Sequence, residues 1–277
     1  MTVIAMTREM GSLGKEVALG LAEKLDLQIV HHELIEHELA EKLHIKDSSV
    51  HRFLEGNASL LERWKIDKHR LSRYTAEEVL ELAARGNVII RGWGATYLLR
   101  PISHVLRVRI CAPIAFRVKV LMERLGIDDE SLARKEIERS DAAHSRTVTQ
   151  LFGINWEEPL LYDVVLNTER IPIDHCVDLL HDLVQQPEYR ETNASRAVLA
   201  DQIFEVRVAS AITNRFGRPA RGLIVDVAVD AATGKVTLQG VADSTGLIRE
   251  TAALVAAIDG VKEVDNRLTA MRLHSVE

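Results

Sequence analysis

A chain of 277 residues that is 47% hydrophobic can bury a sizeable core, which excludes an intrinsically disordered protein and allows one large domain or two smaller ones. Its 35 Lys+Arg against 41 Asp+Glu leave a mildly acidic balance, so no global basic field marks nucleic acid as a partner. Two distant cysteines, Cys111 and Cys176, fit reduced thiols, and no run approaches the roughly 20 apolar residues of a spanning helix. The opening apolar run is too short for a signal-peptide core and lacks a basic leader, so the expectation is a cytoplasmic, non-transmembrane protein.

In chain order, Thr2 to Thr7 reads as a short buried strand, followed by a Gly-containing loop and a helix from Gly14 to Leu25. Val17, Leu21 and Leu25 recur every four residues beside Ala18 and Ala22, which gives that helix one apolar face. Gln28 to Val30 suggests a second strand. A helix from Glu77 to Arg85 stops at Gly86, and Asn87-Val88-Ile89-Ile90 follows as the kind of continuous apolar strand that a parallel sheet buries on both faces. Leu106 to Ile110 and Val164 to Asn167 read as further strands, with helices over Pro113–Leu125, Ser131–Arg146 and Asp174–Val184. This alternation predicts an α/β fold, a parallel sheet flanked by helices.

The polar stretch 185–195 carries Pro187 and offers Asn193 and Ser195 as helix caps. It divides the chain into a domain at 1–190, a linker at 191–195 and a second domain at 196–277. The second domain reads as a helix at Ala197–Phe216, strands at Leu223–Val229 and Lys235–Gly240, a helix at Thr245–Ile258 and a strand at Val261–Ala270.

The loop Gly11-Ser12-Leu13-Gly14-Lys15 carries the chemistry. A strand-to-helix loop converges backbone N–H groups where the helix dipole adds positive charge, and phosphate is the natural ligand there. Gly11 and Gly14 allow close backbone approach, and Lys15 can set its ammonium against the outer phosphates. The general consensus G-x-x-x-x-G-K-[ST] would place glycine at position 9 and a hydroxyl at position 16, where this chain has Glu9 and Glu16. Glu16 is open to three readings: a direct magnesium ligand, a ligand through water, or a charge that repels phosphate.

The stretch Thr7-Arg8-Glu9-Met10-Gly11-Ser12-Leu13-Gly14-Lys15-Glu16 resembles the opening of the cytidylate-kinase-like family, whose members carry a similar S-R-E-x-G-S-x-G-[RK]-E. The likeness continues in order through Val30-His31-His32-Glu33-Leu34-Ile35, Gly92-Trp93-Gly94-Ala95, Cys111-Ala112-Pro113 and Leu161-Tyr162-Asp163-Val164-Val165-Leu166-Asn167-Thr168, over roughly residues 1–185. The resemblance implies a nucleoside-monophosphate kinase using ATP and Mg2+, with Gly11, Ser12, Leu13, Gly14, Lys15 and Glu16 around the donor. It implies a lid at 131–146 that supplies Arg139 and Arg146 to the transfer step, with Arg134 as a weaker candidate. It also implies that Asp163 lies near the acceptor nucleoside, CMP or dCMP.

Two departures fall near the acceptor. His31-His32 stand where the family commonly has Asp-Arg, and Trp93 stands where it commonly has an arginine; Arg91, two residues earlier on the same side of an extended strand, is the candidate substitute. These changes motivate an alternative, a nucleotide-sensing protein with a decayed acceptor site.

His31, His32, Glu33, Glu36 and His37 form neither H-E-x-x-H nor H-x-x-E-H, and the five-residue step from His32 to His37 is wrong for a shared zinc face on a helix. Trp64 among Arg63, Lys65, Lys68 and Arg70 reads as an amphipathic core anchor more than as a nucleic-acid stacking platform. In the second domain, Val236-Thr237-Leu238-Gln239-Gly240-Val241 and Gly260 to Leu268 resemble a BON domain, an α/β sandwich. That resemblance implies a small-ligand, lipid or protein partner and an assembly role, homo-oligomerisation included.

Overall fold

The computed structural model describes residues 1–30, 46, 48, 67–92, 94–217 and 222–271. The His31 to His37 cluster, Trp64 with Arg63 and Lys65, and Trp93 therefore lie outside the described residues. Two compact units result, Met1–Ser195 and Arg196–Glu277.

The first unit is built on strand β1 (Val3–Arg8), whose Val3, Ile4, Ala5 and Met6 are at most 1% exposed. A strand buried on both faces belongs at the centre of a parallel sheet. With β2 (Gln28–Val30), β3 (Val88–Arg91), β4 (Val105–Cys111) and β5 (Val164–Asn167), it forms a five-stranded sheet of order β2-β3-β1-β4-β5 in which every pairing is parallel. Parallel neighbours need crossover helices, and the apolar faces read in the sequence supply them.

Helix α1 (Gly14–Leu25) buries Val17, Ala18, Leu21 and Ala22 against Ile4, Met6, Ile89, Leu106, Val108 and Ile110. The same core takes Cys176, Val177, Leu180 and Val184 from a later helix, Ile173–Val184. The helix expected at Glu77–Arg85 is longer: α2 runs Lys68–Arg85, because the Asp67 carboxylate accepts the N–H groups of His69 and Arg70 at 3.0 and 3.3 Å and caps it earlier. A one-turn helix α3 (Ala95–Leu98) follows β3. Then come α4 (Ile114–Leu125) and α5 (Glu130–Phe152), joined where Ala133 and Ile137 of α5 pack on Val118 and Leu121 of α4. Helix α5 outruns the expected Ser131–Arg146 because its apolar face continues through Val148 and Leu151 to Gly153, whose φ of 70° ends it. The Ile173–Val184 helix is α6.

The stretch 191–195, expected as a linker, is ordered into the first unit. Thr192 Oγ1 accepts the Ser195 N–H at 3.1 Å while Ser195 Oγ accepts the Thr192 N–H at 3.0 Å, a reciprocal cap that starts helix α7 (Asn193–Phe216). Thr192, not Asn193, is thus the cap residue. Ser195 is 3% exposed and bonds His104 Nδ1 at 2.8 Å, which ties the helix start to the loop entering β4.

The second unit pairs β6 (Leu223–Asp230) antiparallel to β7 (Lys235–Ala242), and β7 parallel to β8 (Glu263–Ala270) across helix α8 (Thr245–Ala256). Phe204, Val208 and Ile212, spaced by four on α7, pack with Leu223, Val236, Leu238, Val255 and Leu268. The helix-strand-strand-helix-strand order matches the sequence reading.

Candidate active site

Strand β1 ends at Arg8, and the chain turns through residues 9–13 into α1 at the carboxyl edge of the sheet, where open parallel sheets present their ligand sites. The turn is locked from within. Ser12 is fully buried, and its hydroxyl donates to the carbonyls of Glu9 at 2.8 Å and Ile110 at 3.2 Å, while Thr168 Oγ1 donates to the Ser12 carbonyl at 2.7 Å. Gly11 has φ 77°, and a Cβ there would stand 2.6 Å from the Arg117 carbonyl oxygen, so the backbone of α4 closes on the loop only because position 11 lacks a side chain.

Helix α1 begins after Leu13, a left-handed residue (φ 57°) that gives no side-chain cap, whereas α2, α5 and α8 are capped by Asp67, Asp129 and Ser244. The first N–H groups of α1 therefore meet no capping oxygen from Leu13, and the positive end of the helix dipole faces the loop. Lys15 projects from this turn into solvent and makes no side-chain hydrogen bond or ion pair among the described residues.

Both consensus departures are explained by ion pairs. The Glu9 carboxylate receives Arg109 Nη2 at 2.8 Å, stands 3.4 Å from Arg117 Nε and accepts the Ala112 N–H at 3.2 Å. Glu16 Oε1 receives Arg124 Nη2 at 2.8 Å, so its charge is neutralised within the fold. Arg117 in turn donates to both oxygens of Asp141 on α5, at 3.1 and 2.8 Å, and to the Met10 carbonyl at 3.4 Å.

Arg8 has its pKa lowered to about 10, first by burial, then by the guanidinium charges of Arg91 and Arg124, with Glu16 opposing. Burial also works against the charge of Arg109, but its hydrogen bond to Glu9, with Tyr162 and the Glu9 charge, raises its pKa overall. That guanidinium lies 4.6 Å over the Trp156 ring and donates to the Trp156 carbonyl at 2.8 Å. Beside it, Glu9, Arg109, Cys111, Ala112, Pro113, Glu157, Pro159, Val165 and Asn167 line a cavity of about 330 Å³ at the ends of β4 and β5.

The residues expected in the site divide. Gly11, Ser12, Leu13, Gly14, Lys15 and Glu16 form the loop and the first turn of α1. Arg91 ends β3 opposite Met6, buried, and near enough to Arg8 to depress its pKa. Asp163, which the resemblance places near the acceptor nucleoside, pairs with Arg107. It precedes β5 at the level of Arg107, whose register partner in β1 is Ala5, three residues short of the strand end, and Arg107 donates to its carboxylate through the backbone N–H at 2.8 Å and through the guanidinium. This pairing fastens the start of β5 to β4.

Arg139 and Arg146, which the resemblance assigns to the transfer step, lie on α5. Each residue of a helix turns about 100°, so Arg139 and Arg146 stand about 200° and 140° from Asp141, the α5 residue that meets Arg117. Both are exposed; Arg139 pairs with Glu136 at 2.8 Å, and Arg134 with Glu130 at 3.5 Å. The arginines that the fold brings to the loop and the first turn of α1 are Arg8, Arg109, Arg117 and Arg124. The seven-residue step between Arg117 and Arg124 on an amphipathic helix is the signal in the sequence that points to them, the same signal that singles out Arg139 and Arg146 on α5.

His144 packs edge-on to Trp156 with ring centroids 4.4 Å apart, and its pKa is lowered to about 4, chiefly by burial, with Asp141 opposing and Arg109 and Arg8 adding to the fall. A His near 6.5 in the unfolded chain takes up its proton before the native one does. Above pH 6.5 the group therefore adds nothing to the pH dependence, and between 6.5 and about 4 it destabilises the fold by on the order of 3 kcal/mol in total. His144→Gln is expected to flatten this limb in urea unfolding across that range; an unchanged slope would return His144 to an ordinary titration.

Among the described residues no group of three His, Cys, Asp or Glu is placed to hold a metal ion, and no helix is long and apolar enough to cross a membrane. A central parallel strand feeding a glycine-containing loop into an uncapped helix is the arrangement of a P-loop NTPase-type α/β fold. Residues 3–170 match the Cytidylate kinase-like family, and the chain belongs to it. A cytidylate kinase of Pyrobaculum islandicum is 26% identical over 187 residues, covering 66% of this chain and 93% of that protein. Another, of Sulfurisphaera tokodaii, is 28% identical over 179 residues, covering 64% and 92%. A crystal structure of an uncharacterized protein from Eubacterium ventriosum shares the fold with a TM-score of 0.51 at 19% identity, over 67% of this chain and 99% of that one. Membership supports nucleotide phosphoryl transfer by an enzyme of the nucleoside monophosphate kinase type.

Proposed function

We propose that the chain transfers the terminal phosphoryl group of ATP, with Mg2+, to a nucleoside monophosphate, CMP or dCMP. The observation that carries the reading is the uncapped start of α1 beside Lys15 and Arg8, a basic helix end suited to a polyphosphate. Bound ATP supplies the phosphoryl group, and magnesium neutralises charge on its oxygens. The loop N–H groups, Lys15 and Arg8 hold the donor phosphates, and Arg139 and Arg146 of the 131–146 stretch, taken from the family resemblance, serve the transfer step. The cavity beside Ala112, Pro113 and Asn167 offers the donor base an apolar seat with polar edges. Arg91, at the end of β3, faces the acceptor phosphate.

The test is ADP formation across a panel of monophosphates. ADP that appears only when CMP or dCMP is added supports the reading, and ADP with neither removes it. ATP binding without turnover on any monophosphate would favour the nucleotide-sensing alternative. The 196–277 unit is proposed to be a BON-like ligand-binding or assembly module, supported by the sequence motifs; failure of the full chain to sediment with phospholipid vesicles would remove the lipid form of that proposal.

A further inference from the structure

We propose that α4 is a two-point clamp on the donor loop, with Arg117 and Arg124 as positioning residues that fix the loop and hold the Glu16 carboxylate off the phosphates. Glu9 and Glu16, the two positions where the loop departs from the general phosphate-loop pattern, are seven residues apart, and so are the two arginines that meet them. Seven residues is close to two helical turns, so both arginines leave one side of α4. Arg117 grips the entry of the loop through Glu9 and the Met10 carbonyl, with Gly11 pressed against its own carbonyl oxygen. Arg124 grips the exit through Glu16. Asp141 holds Arg117 from the far side through two hydrogen bonds, which extends the clamp to α5.

The arrangement resolves a contradiction in the chemistry. A carboxylate in the first turn of α1 would repel a polyphosphate bound at that turn, and a hydroxyl at position 16 would not. The Arg124 charge at 2.8 Å cancels that repulsion while leaving Glu16 a fixed hold on α4. The Glu16 and Arg124 side chains are 34% and 38% exposed, so replacing them leaves no cavity in the core.

The inference rests on the ATP reading, and the experiment separates the two. ATP binding is measured by titration calorimetry, and amide exchange over residues 10–16 by mass spectrometry, for wild type, Arg124→Ala, Glu16→Gln/Arg124→Ala and Asp141→Asn. Arg124→Ala is expected to weaken ATP binding about tenfold by baring Glu16, and the double variant to recover most of the loss. Arg124→Ala and Asp141→Asn are each expected to speed exchange in the loop about tenfold. A double variant as weak as the single one would make Arg124 a direct phosphate contact and overturn the positioning role. Unchanged exchange in both single variants would overturn the clamp. Wild type that binds no ATP would remove the proposed function, and the exchange rates would then decide the clamp alone.

Discussion

Lys15→Ala is expected to lower kcat for ADP formation by about 10²- to 10³-fold while leaving the fold intact. Removing one group that stabilises developing charge in a transition state costs on the order of 3–4 kcal/mol, and an ammonium against the outer phosphates is such a group. Because Lys15 is exposed and makes no side-chain hydrogen bond or ion pair among the described residues, its loss removes no structural contact, and the urea midpoint is expected to stay within about 0.5 kcal/mol of wild type. Steady-state kinetics with the acceptor identified by the panel checks the first expectation, and equilibrium unfolding the second. Equal turnover in the two proteins would place the chemistry away from this loop.

Gly11→Ala is expected to act through the backbone. At φ 77° an alanine pays for left-handed geometry, on the order of 1 kcal/mol, and its Cβ would in addition stand 2.6 Å from the Arg117 carbonyl oxygen. Since the nearest atom belongs to backbone, no side-chain rotation relieves the contact; either the loop or the first turn of α4 must move. A loss of about 2–3 kcal/mol in unfolding free energy is expected, together with weaker ATP binding. Gly153→Ala is the control: φ is 70° there, with nothing within 4 Å of the added carbon, so it isolates the conformational cost. Equal losses at the two positions would show that the loop yields to the added methyl group.

The sequence determined the order of elements and the place of the phosphate loop, because both are local. Four-residue recurrence of Val17, Leu21 and Leu25, an unbroken apolar strand at Val88, and glycines flanking a strand-to-helix turn are each readable within a few neighbours. The same reasoning cut α2 short, since its cap lies in Asp67, ahead of the first clear apolar spacing, and it took 191–195 for a linker because the His104 contact that orders Ser195 comes from 91 residues away.

What only the tertiary structure decided is which charges meet. Helical spacing names Arg117 with Arg124 and Arg139 with Arg146 as equally good pairs, and nothing local says which face of which helix turns toward the loop. The packing of Ala133 and Ile137 on α4 sends Arg139 outward and brings Asp141 to Arg117, and the register of β4 against β5 gives Asp163 to Arg107. Glu9 and Glu16 look like defects in a phosphate-binding motif when read along the chain. In the fold each is the partner of an arginine 100 or more residues away, a pairing that the loop's own sequence does not announce.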